Sequence, residues 1–109
     1  MAPVVKVIQP SGILDGIRAN SLRREVSDIV EKGLDILLID LENVGFVDSS
    51  GLAGLLSALK TVRGIGGKLF ICSPNEQVQL LFRLTRMERV LETFPSREEF
   101  NKTVLNAQE

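Results

Sequence analysis

The run Asp48-Ser49-Ser50-Gly51 places two hydroxyls between an apolar segment ending at Val47 and a long apolar stripe beginning at Leu52. That stripe predicts a helix, so both serines stand at its first turn. There the backbone N–H groups lack intrahelical partners, and the positive end of the helix dipole favours negative charge. The chemistry suited to such a place is a phosphate, either bound or covalently attached to serine. The plainer reading is a helix cap, since Asp and Ser are preferred N-cap residues. A cap contributes ~1 kcal/mol and accounts for one of the three polar residues.

Other groups of residues carry weaker signals. Gly64, Gly66 and Gly67 end a helix and precede a strand, the wrong order for a phosphate loop, and read as a tight turn. Arg83, Arg86 and Arg89 recur every third position and read as a solvated face before an anion-binding patch. Asp15, Asp40 and Asp48 are candidates to end strands on one edge of the sheet. A magnesium site needs such acids clustered, but each also serves as a turn or cap residue. Cys72 lies inside an apolar run and reads as a buried small hydrophobe.

Composition removes whole classes of chemistry. No histidine occurs among the 109 residues, which excludes a Ser-His-Asp triad, a histidine base and histidine metal ligands. One cysteine excludes an intrachain disulfide, a CxxC pair and a Cys-rich zinc site. Tyr and Trp are absent, which weakens any case for stacking on bases or sugars. Thirteen basic and fourteen acidic residues give a net charge of -1, so no general field draws nucleic acid or an anionic membrane. At 44% hydrophobic and 25% charged the chain is of globular type. Met1-Ala2-Pro3-Val4-Val5-Lys6 is not a signal peptide, and no apolar run reaches membrane-spanning length. A reduced, cytoplasmic protein without membrane insertion is the expectation.

The elements that must position the serines follow from periodicity. Val4 to Ile8 is a short β-branched strand stopped by Pro10, and Ser11 to Gly16 is a turn-rich connection. Ala19, Leu22, Val26, Ile29 and Val30 mark an amphipathic helix ending near Gly33. Ile36 to Ile39 is apolar at every position, as in a central strand covered on both faces. Val44, Phe46 and Val47 extend the apolar signal to Asp48. Leu52, Leu55, Leu56, Leu59 and Val62 form the second helix, and Lys68 to Cys72 the next strand. Pro74 and Asn75 feed a third helix with Val78, Leu81, Phe82 and Leu84 on its apolar side. Val90 to Phe94 is a last strand. Ser96 with Glu99 forms a capping box for a final helix to about Asn106. The order β-α-β-α-β-α-β-α predicts one α/β domain over 1–109, with about four helices on a mostly parallel or mixed four-stranded sheet.

The stretch Leu38-Ile39-Asp40-Leu41-Glu42-Asn43-Val44-Gly45-Phe46-Val47-Asp48-Ser49-Ser50-Gly51-Leu52 resembles the signature of the STAS family, named for sulfate transporters and anti-sigma factor antagonists. Gly12-Ile13-Leu14-Asp15 resembles its "G-x-L-D" element, and Gly66-Gly67-Lys68-Leu69 its "G-G-x-L" element. The three elements stand in the family's order across nearly the whole chain. The resemblance implies a non-enzymatic partner switch of the bacterial anti-sigma factor antagonist branch, without cofactor or resident metal. Its unmodified form would bind an anti-sigma factor that is also a serine kinase of the histidine-kinase-like ATPase type. Phosphorylation at Ser49, with Ser50 the second choice, would release that partner, and a metal-dependent serine phosphatase would reset the switch. Asp15, Asp48, Ser49, Ser50, Gly51 and Ala53 are the expected partner surface, with Gly51 and Ala53 keeping it flat. Direct contact with nucleic acid is not expected.

Two departures from the family pattern stand out. Only Met1-Ala2-Pro3 precedes the first strand, where family members carry another strand, so an exposed sheet edge and a homodimer through it are expected. Arg86 stands where the family favours glycine at a helix end. Two other readings compete with the sigma-factor switch: a stand-alone STAS subunit docking on a membrane lipid or anion transporter, or a switch on another target. A nucleotide binder at the Asp48 helix start lacks a phosphate loop and a metal set.

Overall fold

The computed structural model describes residues 2–106. Strands β1 (Val5–Ile8), β3 (Ile36–Asp40), β5 (Lys68–Cys72) and β6 (Thr93–Phe94) form one sheet in the order β1-β3-β5-β6. All its ladders are parallel. Two further strands, β2 (Gly12–Leu14) and β4 (Val44–Val47), make a separate parallel ladder. Helices α1 (Gly16–Lys32), α2 (Ser49–Gly64), α3 (Glu76–Leu84) and α4 (Arg97–Phe100) complete the fold, α4 continuing as a π-helical turn, Asn101–Leu105.

The unbroken apolar run in β3 has a simple cause. Successive strand residues face opposite sides of a sheet. Leu37 and Ile39 join Leu22, Val26, Leu55, Leu59, Val62, Val78 and Phe82 of α1, α2 and α3 in the larger core. Ile36 and Leu38 face the other way, toward Phe70, Cys72, Phe100 and Val104. Phe70, Phe94 and Phe100 meet there with ring centroids 5.6–5.9 Å apart, in tilted and edge-on contacts. Burial pushes the Cys72 thiol above its ordinary pKa, as expected of a packing residue.

Four local expectations are corrected. Residues 12–14 and 44–47 are paired strands, where a connection and an apolar extension were expected; their ladder is short and shifts register between Gly12 and Ile13. The last strand covers only Thr93–Phe94, because a 3₁₀ turn at Met87–Arg89 draws the Val90 and Leu91 N–H groups to the Met87 carbonyl. The final helix is α-helical for one turn only. Leu84 lies on the solvent side of α3, 74% exposed, while Val78 and Phe82 carry that helix's packing.

Arg86 adopts the left-handed conformation (φ 60°) at the end of α3, so the turn usually given to glycine is kept by an arginine. Strand β1 is a sheet edge, as expected. It is four residues long, carries exposed Lys6 and lies between Pro3 and Pro10, features that discourage edge-to-edge pairing.

Candidate functional site

Strands β2 and β4 lie side by side, and each delivers its chain into a helix. Asp15 follows β2 and caps α1, its carboxylate accepting from the Arg18 N–H at 3.1 Å. Asp48 follows β4 and caps α2, accepting from the Gly51 N–H at 2.8 Å. The Asp48 N–H donates to the Leu14 carbonyl at 3.3 Å, which joins the two strand ends. Two helix N-termini therefore stand together, each with a carboxylate on its first turn.

Glycines set the spacing between them. A Cβ on Gly51 would lie 2.0 Å from the Leu14 carbonyl oxygen, and one on Gly54 would lie 2.7 Å from the Ala19 Cβ. Gly51 is buried. It is therefore a close-packing residue between α2 and β2, not part of a flat partner surface, which corrects the expectation for it. Ser49, Ser50 and Ala53 are exposed, and Asp15 and Asp48 are half-buried. An open groove between the helix starts is lined by Asp15, Gly16, Asn20, Arg23, Ser50 and Ala53. Ile13 and Phe46, partners in the β2–β4 ladder, are 54% and 47% exposed. They give this end of the molecule an apolar component that strand alternation alone did not flag.

Helix α3 secures the other edge of β4. The Gln77 side-chain oxygen accepts from the Val47 N–H at 2.9 Å, and its amide nitrogen donates to the Val47 carbonyl at 3.0 Å. Asn75 caps α3 through the Val78 N–H and donates to the Gly45 carbonyl at 2.9 Å. Sequence reasoning gave Gln77 no role, because its partner lies 30 residues away and no local pattern announces the pairing.

Asp40 does not join Asp15 and Asp48. It is 1% exposed and accepts from Arg97 at 2.9 Å, the Glu42 N–H at 3.0 Å and the Gln9 side chain at 3.2 Å. The three acids thus do not form the cluster that a magnesium site requires. Among the described residues no group of three or more His, Cys, Asp or Glu side chains is placed to hold a metal ion. Gly66 takes φ 79° in the turn after α2, as a tight turn requires. Arg83, Arg86 and Arg89 are exposed. Among the described residues no helix is long and apolar enough to cross a membrane.

The arrangement can present one or two serine hydroxyls on an open surface, backed by a rigid junction. Comparison with known proteins places the fold. The model of the STAS domain matches residues 2–100. The anti-sigma-B factor antagonist of Bacillus subtilis is 30% identical over 82 residues, which is 75% of this chain and 74% of the relative. The crystal structure of a candidate anti-sigma factor antagonist from Thermotoga maritima superposes with a TM-score of 0.84 at 27% identity, covering 92% of this chain and 86% of that one. The phosphorylated form of the Bacillus cell-fate determinant SpoIIAA superposes with a TM-score of 0.68 at 19% identity, covering 90% and 89% of the two chains; that likeness concerns the fold alone.

Proposed function

The chain is a member of the STAS domain family, and within it we propose that it acts as an anti-sigma factor antagonist controlled by phosphorylation of Ser49. In this reading the unmodified protein binds an anti-sigma factor that is also an ATP-using serine kinase. Phosphorylation releases that partner, and a metal-dependent serine phosphatase restores binding. The protein itself is a substrate and a ligand, not an enzyme.

The observation that carries this reading is the exposed Ser49 hydroxyl on the first turn of α2, directly after the capping Asp48 and beside a second capped helix start. A phosphoserine adds about −1.5 to −2 charges. Pressed into an interface beside the Asp48 and Asp15 carboxylates, it introduces like-charge repulsion and a desolvation cost. About 3 kcal/mol of such penalty weakens binding about 100-fold, enough for a switch. In the free protein the same group faces water and the unpaired N–H groups of the helix start, which tolerate negative charge. The complex therefore loses stability while the fold keeps its own. Asp15, Ser50 and Ala53 border the same groove and belong to the proposed partner surface with Asp48 and Ser49.

The test uses Ser49→Ala and Ser49→Asp proteins as parallel baits in native cell extract, read by mass spectrometry. The expected result is a kinase-type ATPase held by the first bait and lost from the second. Equal retention on both baits contradicts charge-driven release at this position.

A further inference from the structure

We propose that Gln77 is a positioning residue that fixes the presentation of Ser49 by pairing with the backbone at its approach; the functional part of this proposal rests on the switch reading given above. The backbone entering α2 needs restraint on two sides. On the β2 side that restraint is main-chain: the Asp48 N–H meets the Leu14 carbonyl, and Gly51 allows the same carbonyl to approach α2. On the far side β4 has no neighbouring strand among the described residues. Its edge groups there would be left to water.

One side chain takes the place of a strand at the last residue of that edge. Gln77 is half-buried and satisfies both the N–H and the carbonyl of Val47, at 2.9 Å and 3.0 Å. Successive residues of a strand point their backbone groups to opposite edges. Val47 and Gly45 therefore share an edge, and Asn75 holds the Gly45 carbonyl at 2.9 Å. A primary amide is the one common side chain of this length that both donates and accepts in a single plane. Gln77 thereby fixes the peptide planes on either side of Val47, two residues before the Ser49 hydroxyl. A nucleophile must be held close to its attack geometry for transfer of a phosphoryl group, so loss of this restraint falls on turnover more than on binding.

Two variants test the assignment. Gln77→Met keeps the length and removes both hydrogen bonds. Gln77→Glu accepts from the Val47 N–H but, when ionised, sets a carboxylate against the Val47 carbonyl; once protonated it can donate again. Amide hydrogen exchange is read at residues 47–51 at about pH 7 and about pH 4.5, as protection relative to wild type at the same pH. Asp48 and Glu76, the titratable neighbours in sequence, are common to all three chains. Gln77→Met is expected to lose about tenfold in protection at residues 47–51 at both pH values, with the buried strand β5 unchanged. Gln77→Glu is expected to lose it at the higher pH and regain it at the lower. Protection within about twofold of wild type in both variants at both pH values overturns the proposal.

The functional arm measures phosphorylation of wild type and Gln77→Met by the ATPase retained on the Ser49→Ala bait. The expected result is kcat about tenfold lower with KM within about twofold. Unchanged kcat overturns the positioning role in phosphoryl transfer. A wild-type protein that no retained ATPase phosphorylates contradicts the switch reading instead, and the exchange arm still decides whether Gln77 orients the helix start.

Discussion

Asp40 ends a strand and Asp48 directly follows one, yet they do opposite work. Asp40 closes the central strand β3, is 1% exposed and has donors from Gln9, Glu42 and Arg97. Its hydrogen-bonding capacity is spent on tying the segment after β1, the segment after β3 and α4 together. Asp48 follows the outlying strand β4, is half-buried, and its carboxylate makes one local bond, to the Gly51 N–H. Asp15 repeats the Asp48 pattern on α1. The main sheet thus buries its strand-end aspartate, while the rim leaves Asp48 and Asp15 half-exposed. The separate β2–β4 ladder creates that rim.

The contrast can be broken by substitution, and the largest effect belongs to the packing beneath the serines. Gly51→Ala forces a methyl group to within 2.0 Å of the Leu14 carbonyl oxygen. We expect at least ~3 kcal/mol of destabilisation in urea unfolding, since backbone must move. Asp40→Ala comes next, at about 2–3 kcal/mol, because it strips three donors of one buried acceptor. Arg97 is 47% exposed, so its own charge finds water and the larger figures for fully buried pairs do not apply. Asp48→Ala should cost about 1 kcal/mol, the loss of one cap. If Asp48→Ala proved as costly as Asp40→Ala, the distinction between a rim carboxylate and a buried tie would fail. Ser49→Ala should stay within about 0.5 kcal/mol of wild type in the same assay, since the residue is exposed. A larger loss would make Ser49 a structural residue first.

What the sequence disclosed follows the range of the forces involved. The β3 strand was legible because an all-apolar run is what two covered faces demand. The α2 stripe was legible because Leu52, Leu55, Leu59 and Val62 repeat at helical spacing, and the structure buries all four. The Asp48 cap was legible because capping is local, and its carboxylate bonds three residues on. The ladder of β2 with β4 was not, because its few pairs join residues about thirty positions apart across a register shift. Gly51 was misjudged for a related reason: an exposed small residue and one held under a passing carbonyl look alike in one dimension. Its spacing from Gly54, on one face of α2, was the available signal. Gln77 offered none, since a glutamine in the first turn of a helix is ordinary.

The central claim is that phosphate on Ser49 releases a partner without unfolding the protein. The most direct measurement adds ATP and magnesium to the complex captured by wild-type protein. It follows dissociation by light scattering and maps the phosphorylated residue by mass spectrometry of the released chain. The account predicts release in step with a single phosphoryl group on Ser49, and a released chain whose thermal unfolding midpoint matches that of the unmodified protein within about 4 °C. A complex that persists after Ser49 is fully phosphorylated, or a release that proceeds with Ser49 unmodified, would contradict it.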